Sequence, residues 1–280
     1  MADERTIVIT GATDGLGKAL ATELAPGGGR LILQGRNEEK GQALIEELRP
    51  RATGTLEWRQ ADLSSLDQVR ELAQSLLDED RIDVLVNNAG IGTTAEGAAE
   101  RGDGDREESL DGYELRFAVN YLAPFLLTRM LLPLIERSAP ARIVNVTSAG
   151  QAPIDFDDVM LERHYDGIQA YGQSKVALVM LTFDLAEELE GSGVTANCLH
   201  PGTFMPTNMV RRAGVEPVTP LEDGVKATMR LIASPELDGV NGHYFNGTGE
   251  SAPHPQAEDP EARRRLRELS AELTGIQATA

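Results

Sequence analysis

Short β-branched apolar runs alternate with longer amphipathic stretches along most of the chain. Thr6-Ile7-Val8-Ile9-Thr10, Arg30 to Gln34, Thr55 to Gln60, Val84-Leu85-Val86, Arg142 to Thr147, Val194 to Leu199 and Gly242 to Asn246 read as strands, each bounded by turn residues. Between them lie helical patterns through Leu20 and Leu24, through Leu44, Ile45 and Leu48, from Leu66 to Leu77, from near Leu110 toward Ile135, and from Ala170 through Phe183. Thr219-Pro220-Leu221-Glu222 reads as a capping box with proline at the first helical position, opening a helix to Ala233. The alternation predicts one doubly wound α/β domain over residues 1–250, with a central parallel sheet of about seven strands. Residues 251–280 read as a polar tail and then, from Asp259-Pro260, an amphipathic helix with Leu266, Leu269 and Leu273 that caps the domain. Residues 92–109 are polar and without periodicity, a long loop, and the methionine-bearing segment 200–218 suits either a substrate lid or ordinary packing.

Composition narrows the class. With 280 residues and 41% hydrophobic content the chain can bury one substantial core. A formal charge of −19 argues against nucleic acid or an anionic membrane as a partner, since both need a basic face. MADERTIVIT enters a strand with no basic n-region or apolar h-region, which gives a cytoplasmic expectation. The most apolar long segment, Tyr121 to Ile135, carries Arg129 and two prolines and is too short to span a bilayer. Cys198 stands alone, so no intrachain disulfide forms. His164, His200, His243 and His254 make no metal spacing, and no metal is expected.

The first strand runs directly into Gly11-Ala12-Thr13-Asp14-Gly15-Leu16-Gly17 and then a helix. Such a turn lets backbone N–H groups and the positive end of the helix dipole approach a pyrophosphate. The end of the second strand is where a dinucleotide fold meets the adenine ribose; Gly35 stands there, followed by Arg36 rather than an acid, so the expected cofactor is NADP(H) in preference to NAD(H). Tyr171 and Lys175 stand four positions apart and share a helix face. At an effective dielectric of about 20, a cation about 5 Å away favours the phenolate by roughly 3 kcal/mol, or about two pKa units. Only four of the 26 basic residues are lysine, so a lysine at this place is a choice against the chain's arginine habit.

Tyr171-x-x-x-Lys175 with Ser148, Asn120 and the glycine turn resembles the short-chain dehydrogenase/reductase superfamily, from Thr6 to about Asn246. The resemblance implies a Rossmann-like domain and a catalytic set of Asn120, Ser148, Tyr171 and Lys175. In it Ser148 binds the reacting oxygen, Tyr171 is the acid or base, Lys175 lowers its pKa and holds the nicotinamide ribose, and Asn120 holds a water that links the lysine to solvent. It places Gly11, Thr13, Asp14, Gly15, Leu16 and Gly17 on the pyrophosphate, Asp62 and Leu63 beside the adenine, and Asn88, Ala89 and Gly90 along the cofactor. Asp62 reads equally as a cap for the helix that follows. Pro201 and Gly202 would pass the nicotinamide amide, with Thr203 and Thr207 competing for the threonine contact. The stretch PIDFDDVMLERHYDGIQAYGQSK is similar to the retinol-dehydrogenase-like branch and implies that Ile154, Phe156 and Tyr165 lie near the pocket entrance.

The function implied is carbonyl reduction or alcohol oxidation on an apolar small molecule. An epimerase or dehydratase without net cofactor turnover, or a non-catalytic NADP(H)-binding protein, uses the same scaffold, and consumption of NADPH separates them. Helices around Asn120 and Tyr171 form homodimers in many relatives, while the insertion and tail of this chain could mask that face.

Overall fold

The computed structural model describes residues 5–93 and 106–276. Strands β1 (Thr6–Ile9), β2 (Arg30–Gly35), β3 (Thr55–Gln60), β4 (Val84–Asn87), β5 (Ala141–Val146), β6 (Val194–His200) and β7 (Tyr244–Asn246) run parallel, and β8 (Gly249–Glu250) closes the edge antiparallel. The order β3-β2-β1-β4-β5-β6-β7-β8 reverses direction at β1 and β4, which opens a crevice at their carboxyl ends. The expected seven parallel strands are present; the eighth is a two-residue return after Gly247, whose φ is +59°.

The helices are α1 (Gly15–Leu24), α2 (Glu38–Leu48), α3 (Leu66–Leu77), α4 (Leu115–Arg137), α5 (Gly167–Glu188), α6 (Asn208–Arg212), α7 (Leu221–Ala233) and α8 (Pro260–Thr274). Val8, Ile32, Leu85 and Ile143 lie in register and pack into one apolar cluster with α3, α4, α5 and α8. Their neighbours Ile9, Leu33, Val86 and Val144 face the opposite cluster with α1, α2 and α7. Both faces of these strands are covered, so apolar residues occupy successive positions.

Three elements differ from the sequence reading. Helix α4 starts at Leu115 rather than near Leu110, because Glu114 caps it by accepting the Phe117 N–H at 2.7 Å. Its second part, Ala118–Leu122, widens into a π-turn that carries Asn120, and Pro124 follows, where a missing N–H already breaks the regular bonding. By length and hydropathy α4 could cross a membrane, but 78% of its apolar window is buried, as befits a core helix. The capping box before α7 does not form: Thr219 Oγ1 instead accepts the Thr203 N–H at 3.0 Å. Thr219 N–H donates to Thr203 C=O and Val218 N–H to Phe204 C=O, both at 3.0 Å, so the segment between leaves and returns through one clasp. Of the expected loop, residues 94–105 fall outside the described residues, while Arg106 already donates to Met160 C=O at 2.7 Å.

Helix α8 docks as expected. Asp184 on α5 pairs with Arg263 at 3.5 Å and Arg267 at 3.1 Å, and the Tyr121 hydroxyl bonds Ser270 Oγ at 2.6 Å beside the π-turn. α8 therefore covers part of the face formed by α4 and α5. Ser270→Ala leaves the buried Tyr121 hydroxyl without this bond and should cost about 1–3 kcal/mol in a urea unfolding titration.

Candidate active site

The glycine turn is built by close approach. Gly11 has φ +66°, and a Cβ there would lie 2.7 Å from Ala89 Cα; on Gly17 it would lie 2.2 Å from the Gly11 carbonyl oxygen. Asp14 precedes α1 in extended conformation and makes no capping bond, and the first turn of α1 holds no acid. The N–H groups and positive dipole end of α1 thus face the crevice, and residues Gly11 to Gly17 fit a pyrophosphate. Two residues that the sequence does not single out hold the turn. Gln34 Oε1 accepts the Gly11 N–H at 3.1 Å, and Thr10 Oγ1 accepts the N–H groups of Asn88 and Ala89, each at 3.0 Å. Asn88 Nδ2 answers by donating to Thr10 C=O at 2.8 Å and Gly11 C=O at 3.2 Å. The signal in the sequence was a polar side chain at the end of each apolar strand.

A Cβ on Gly35 would meet Trp58 Cη2 at 2.6 Å and Thr13 Cγ2 at 3.3 Å, so a side chain at this position would have to displace the Trp58 ring. Arg36 follows at the exposed end of β2. Ser65 caps α3 by accepting the Gln68 N–H, while Asp62 accepts the Ser64 N–H at 2.9 Å, which removes the helix-cap alternative for Asp62. Leu63 is buried in the apolar cluster, so its side chain packs inward.

Four catalytic candidates converge at the carboxyl ends of β4 and β5. Asn120 Oδ1 accepts the Ile91 N–H at 2.8 Å, and its Nδ2 donates to Ile91 C=O at 3.1 Å and to Ser174 Oγ at 3.0 Å. Ser174, another residue not foreseen, donates to Tyr171 C=O at 2.7 Å. Ser148 and Tyr171 flank one point, since a Cβ on Gly150 would lie 3.5 Å from Ser148 Oγ and 3.8 Å from Tyr171 Cε1, and the Ser148 carbonyl is held by Gln151 Nε2 at 2.9 Å and the Tyr244 hydroxyl at 3.1 Å. Lys175 is buried, donates to Val146 C=O at 3.2 Å, and lies 5.7 Å from the Tyr171 ring centre.

The electrostatics correct the simple expectation that the lysine cation lowers the tyrosine. Burial pushes the Tyr171 phenol above its ordinary value, and the nearby Ser148 hydroxyl pulls it partly back. Burial likewise brings Lys175 down to about 8. Removing both groups from water disfavours both charged forms, a cost the Coulomb argument omitted. At neutral pH Tyr171 holds its proton and Lys175 remains mostly charged.

Around this core, Thr207 Cγ2 stands 2.9 Å from a Cβ placed on Gly15, whereas Thr203 Oγ1 is engaged with His200 Nε2 at 3.1 Å. Thr207 is thus the threonine beside the glycine turn. Pro201 is buried and Gly202 packs on Thr219. Two residues expected at the pocket entrance lie elsewhere: Ile154 is buried in the core, and Phe156 packs under the Arg265 guanidinium of α8, 4.5 Å from its ring centre. The tail helix, not the pocket, claims that part of the insertion. Tyr165 lies just before α5, beside Gly167 and Arg116. Among the described residues no cluster of histidine, cysteine, aspartate and glutamate could hold a metal.

A phosphate-binding glycine turn joined to a serine, tyrosine and lysine at the carboxyl end of one parallel sheet defines an oxidoreductase that works with a nicotinamide nucleotide. The short chain dehydrogenase family profile matches residues 5–216, and the chain belongs to that family, within its retinol-dehydrogenase-like branch. Retinol dehydrogenase 13 of Homo sapiens is 38% identical over 294 residues, covering 98% of this chain and 86% of the relative. A protein of Mycobacterium paratuberculosis superposes with a TM-score of 0.76 at 29% identity, over 99% of this chain and 96% of its own. A short-chain dehydrogenase from Sphingobium yanoikuyae in complex with NADPH gives 0.66 at 28% identity, over 80% and 83%.

The lysine makes a signed prediction. Its folded pKa of about 8 lies below the ordinary 10.5, so between these values the unfolded chain binds more protons and stability rises with pH. Lys175→Met should abolish turnover and yet be more stable at pH 7 by on the order of 3 kcal/mol. That gap between variant and native protein should close as pH rises from about 8 to 10.5 in parallel denaturant titrations.

Proposed function

We propose that the chain reduces the carbonyl of an apolar small molecule to an alcohol, or runs the reverse reaction, with NADP(H) in preference to NAD(H). The observation that carries this reading is the convergence of Ser148 and Tyr171 about Gly150, with the buried Lys175 amine 5.7 Å from the Tyr171 ring centre. Ser148 positions the substrate oxygen, and Tyr171, protonated at neutral pH, gives it the proton. A bound nicotinamide nucleotide supplies the hydride. Lys175 holds the nicotinamide ribose, and Asn120 keeps Ile91 and Ser174 in place around the lysine while serving the proton relay.

Gly11, Thr13, Asp14, Gly15, Leu16 and Gly17 surround the pyrophosphate in this reading. Asp62 flanks the adenine together with the backbone of Leu63, whose side chain packs inward; Asn88, Ala89, Gly90, Pro201 and Gly202 line the nicotinamide end; and Thr207 takes the threonine contact in place of Thr203. Arg36 recognises the 2′-phosphate, and Gly35, crowded by Trp58, places no acid beside it. A neighbour crystallised with NADPH supports the cofactor preference.

An apolar substrate agrees with exposed Phe204, Met209 and Val218 on the clasped segment, which serves as the lid, and with the name of the retinol dehydrogenase relatives. We further infer a cytoplasmic, acidic protein without nucleic-acid or membrane partners, from its charge and the burial of α4. Any homodimer must form around the docked α8.

The test follows NADPH oxidation with apolar aldehydes, all-trans-retinal included, ketones and quinones. Native turnover should fall by about 10²–10⁴-fold in Tyr171→Phe; equal turnover in both proteins overturns the acid assignment. Arg36→Ala should lower kcat/KM for NADPH by about ten- to a hundredfold and leave that for NADH unchanged.

A further inference from the structure

Arg116 is the bulkiest fully buried side chain among the described residues, 2% exposed on α4. A guanidinium that deep needs acceptors and countercharge on every side. Its Nε donates to Gly92 C=O at 3.2 Å and its Nη2 to Thr93 C=O at 3.3 Å. Glu114, fully buried, lies 3.4 Å from Nη1, and Glu107 lies 3.7 Å from Nη2. The ring of Tyr165 sits 5.8 Å from the guanidinium carbon, and its hydroxyl donates to Glu114 at 3.4 Å.

One turn further along α4, Asn120 clamps Ile91 by both its N–H and its C=O. Two side chains of one helix therefore hold three consecutive residues, 91–93, that have no strand partner. The preceding residue borders the catalytic amine, since a Cβ on Gly90 would lie 3.3 Å from Lys175 Nζ and 3.2 Å from Asn120 Oδ1. Two further segments meet the same spot. Thr93 C=O lies 2.5 Å from where Gly167, at the start of α5, would carry a Cβ, and Met209 Cγ on α6 lies 2.9 Å from one on Gly92.

We propose that Arg116, with Glu114 and Tyr165, forms a positioning cluster that fixes Ile91–Thr93 where the β4 loop, the start of α5 and the clasped lid segment meet. Apolar packing cannot fix two free carbonyls; the planar fork of arginine can, and lysine cannot reach both. By holding Gly92 and Thr93 the cluster keeps Ile91 in the grip of Asn120, and it gives Met209 a fixed seat. The inference deepens the carbonyl-reductase reading, and only its kinetic arm rests on that reading.

The test compares the native chain with Arg116→Lys and with the charge-balanced Arg116→Met/Glu114→Gln, the latter guarding against a bare buried carboxylate that prevents folding. Hydrogen–deuterium exchange should accelerate by about tenfold in peptides spanning 88–93 and 165–170 in both variants, with 6–60 unchanged. Unaltered exchange at 88–93, or equal acceleration across the whole sheet, overturns the proposal. In the kinetic arm, kcat/KM for a carbonyl substrate of the panel should drop about tenfold while the NADPH dissociation constant stays within about twofold. A native kcat/KM, or a loss matched by weaker NADPH binding, also overturns it. If the native protein turns over nothing on the panel, the reductase reading fails and the exchange result alone decides this one.

Discussion

At the carboxyl ends of β1, β4 and β5 the sheet stops, and backbone groups that would have bonded a neighbouring strand must find partners elsewhere in a buried place. Side chains meet that demand almost everywhere. Thr10, Gln34, Asn88 and Asn120 each bond the backbone of a loop leaving the sheet, and the buried ladder from Thr128 through Asn87 and Asn145 to Thr182 ties β4 and β5 to the helices above them. The crevice keeps its shape because these bonds are short, internal and shielded from water. Gathered at the same edge are the N-terminal end of α1, the Ser148 and Tyr171 side chains, and the buried amine of Lys175.

Lys175 stands against the general economy of the fold. Apart from the Val146 carbonyl, no acceptor or countercharge offsets its loss of water in the structure described, and its pKa falls accordingly. The buried arginines show how the same chain treats charges that serve structure. Arg116 has two carboxylates and two carbonyls, and Arg263 shares Asp184 with Arg267 while reaching Glu187. A buried cation with a single acceptor is a candidate for chemistry, whereas one set among carboxylates serves architecture.

The tail has a structural part in the site. Gln151 links the Ser148 carbonyl to the His254 N–H, and Gln256 bonds both the N–H and the C=O of Ile154. Helix α8 completes the arrangement on the far side, through Tyr121 next to Asn120. Residues beyond β8 thus brace the serine loop and the π-turn together, which joins the C-terminal segment to the domain that it follows.

The sequence by itself determined the strand and helix alternation and the glycine turn, because each is written in local spacing: apolar runs of strand length and glycines where a backbone must come close. Tyr171 and Lys175 stand one helical turn apart, and the family resemblance added Ser148 and Asn120 to them. Tertiary structure decided what depends on who is near. It decided that Thr219 clasps Thr203 instead of capping α7, that Thr207 rather than Thr203 stands by Gly15, and that Phe156 packs under α8. The buried Arg116 and the supporting Gln34 and Ser174 carry no motif, since their partners lie on segments remote in the chain or emerge only when a helix folds. Even the tyrosine and lysine, singled out by their spacing together with the family resemblance, owe their proton affinities to desolvation, a property of the packed interior that no spacing encodes.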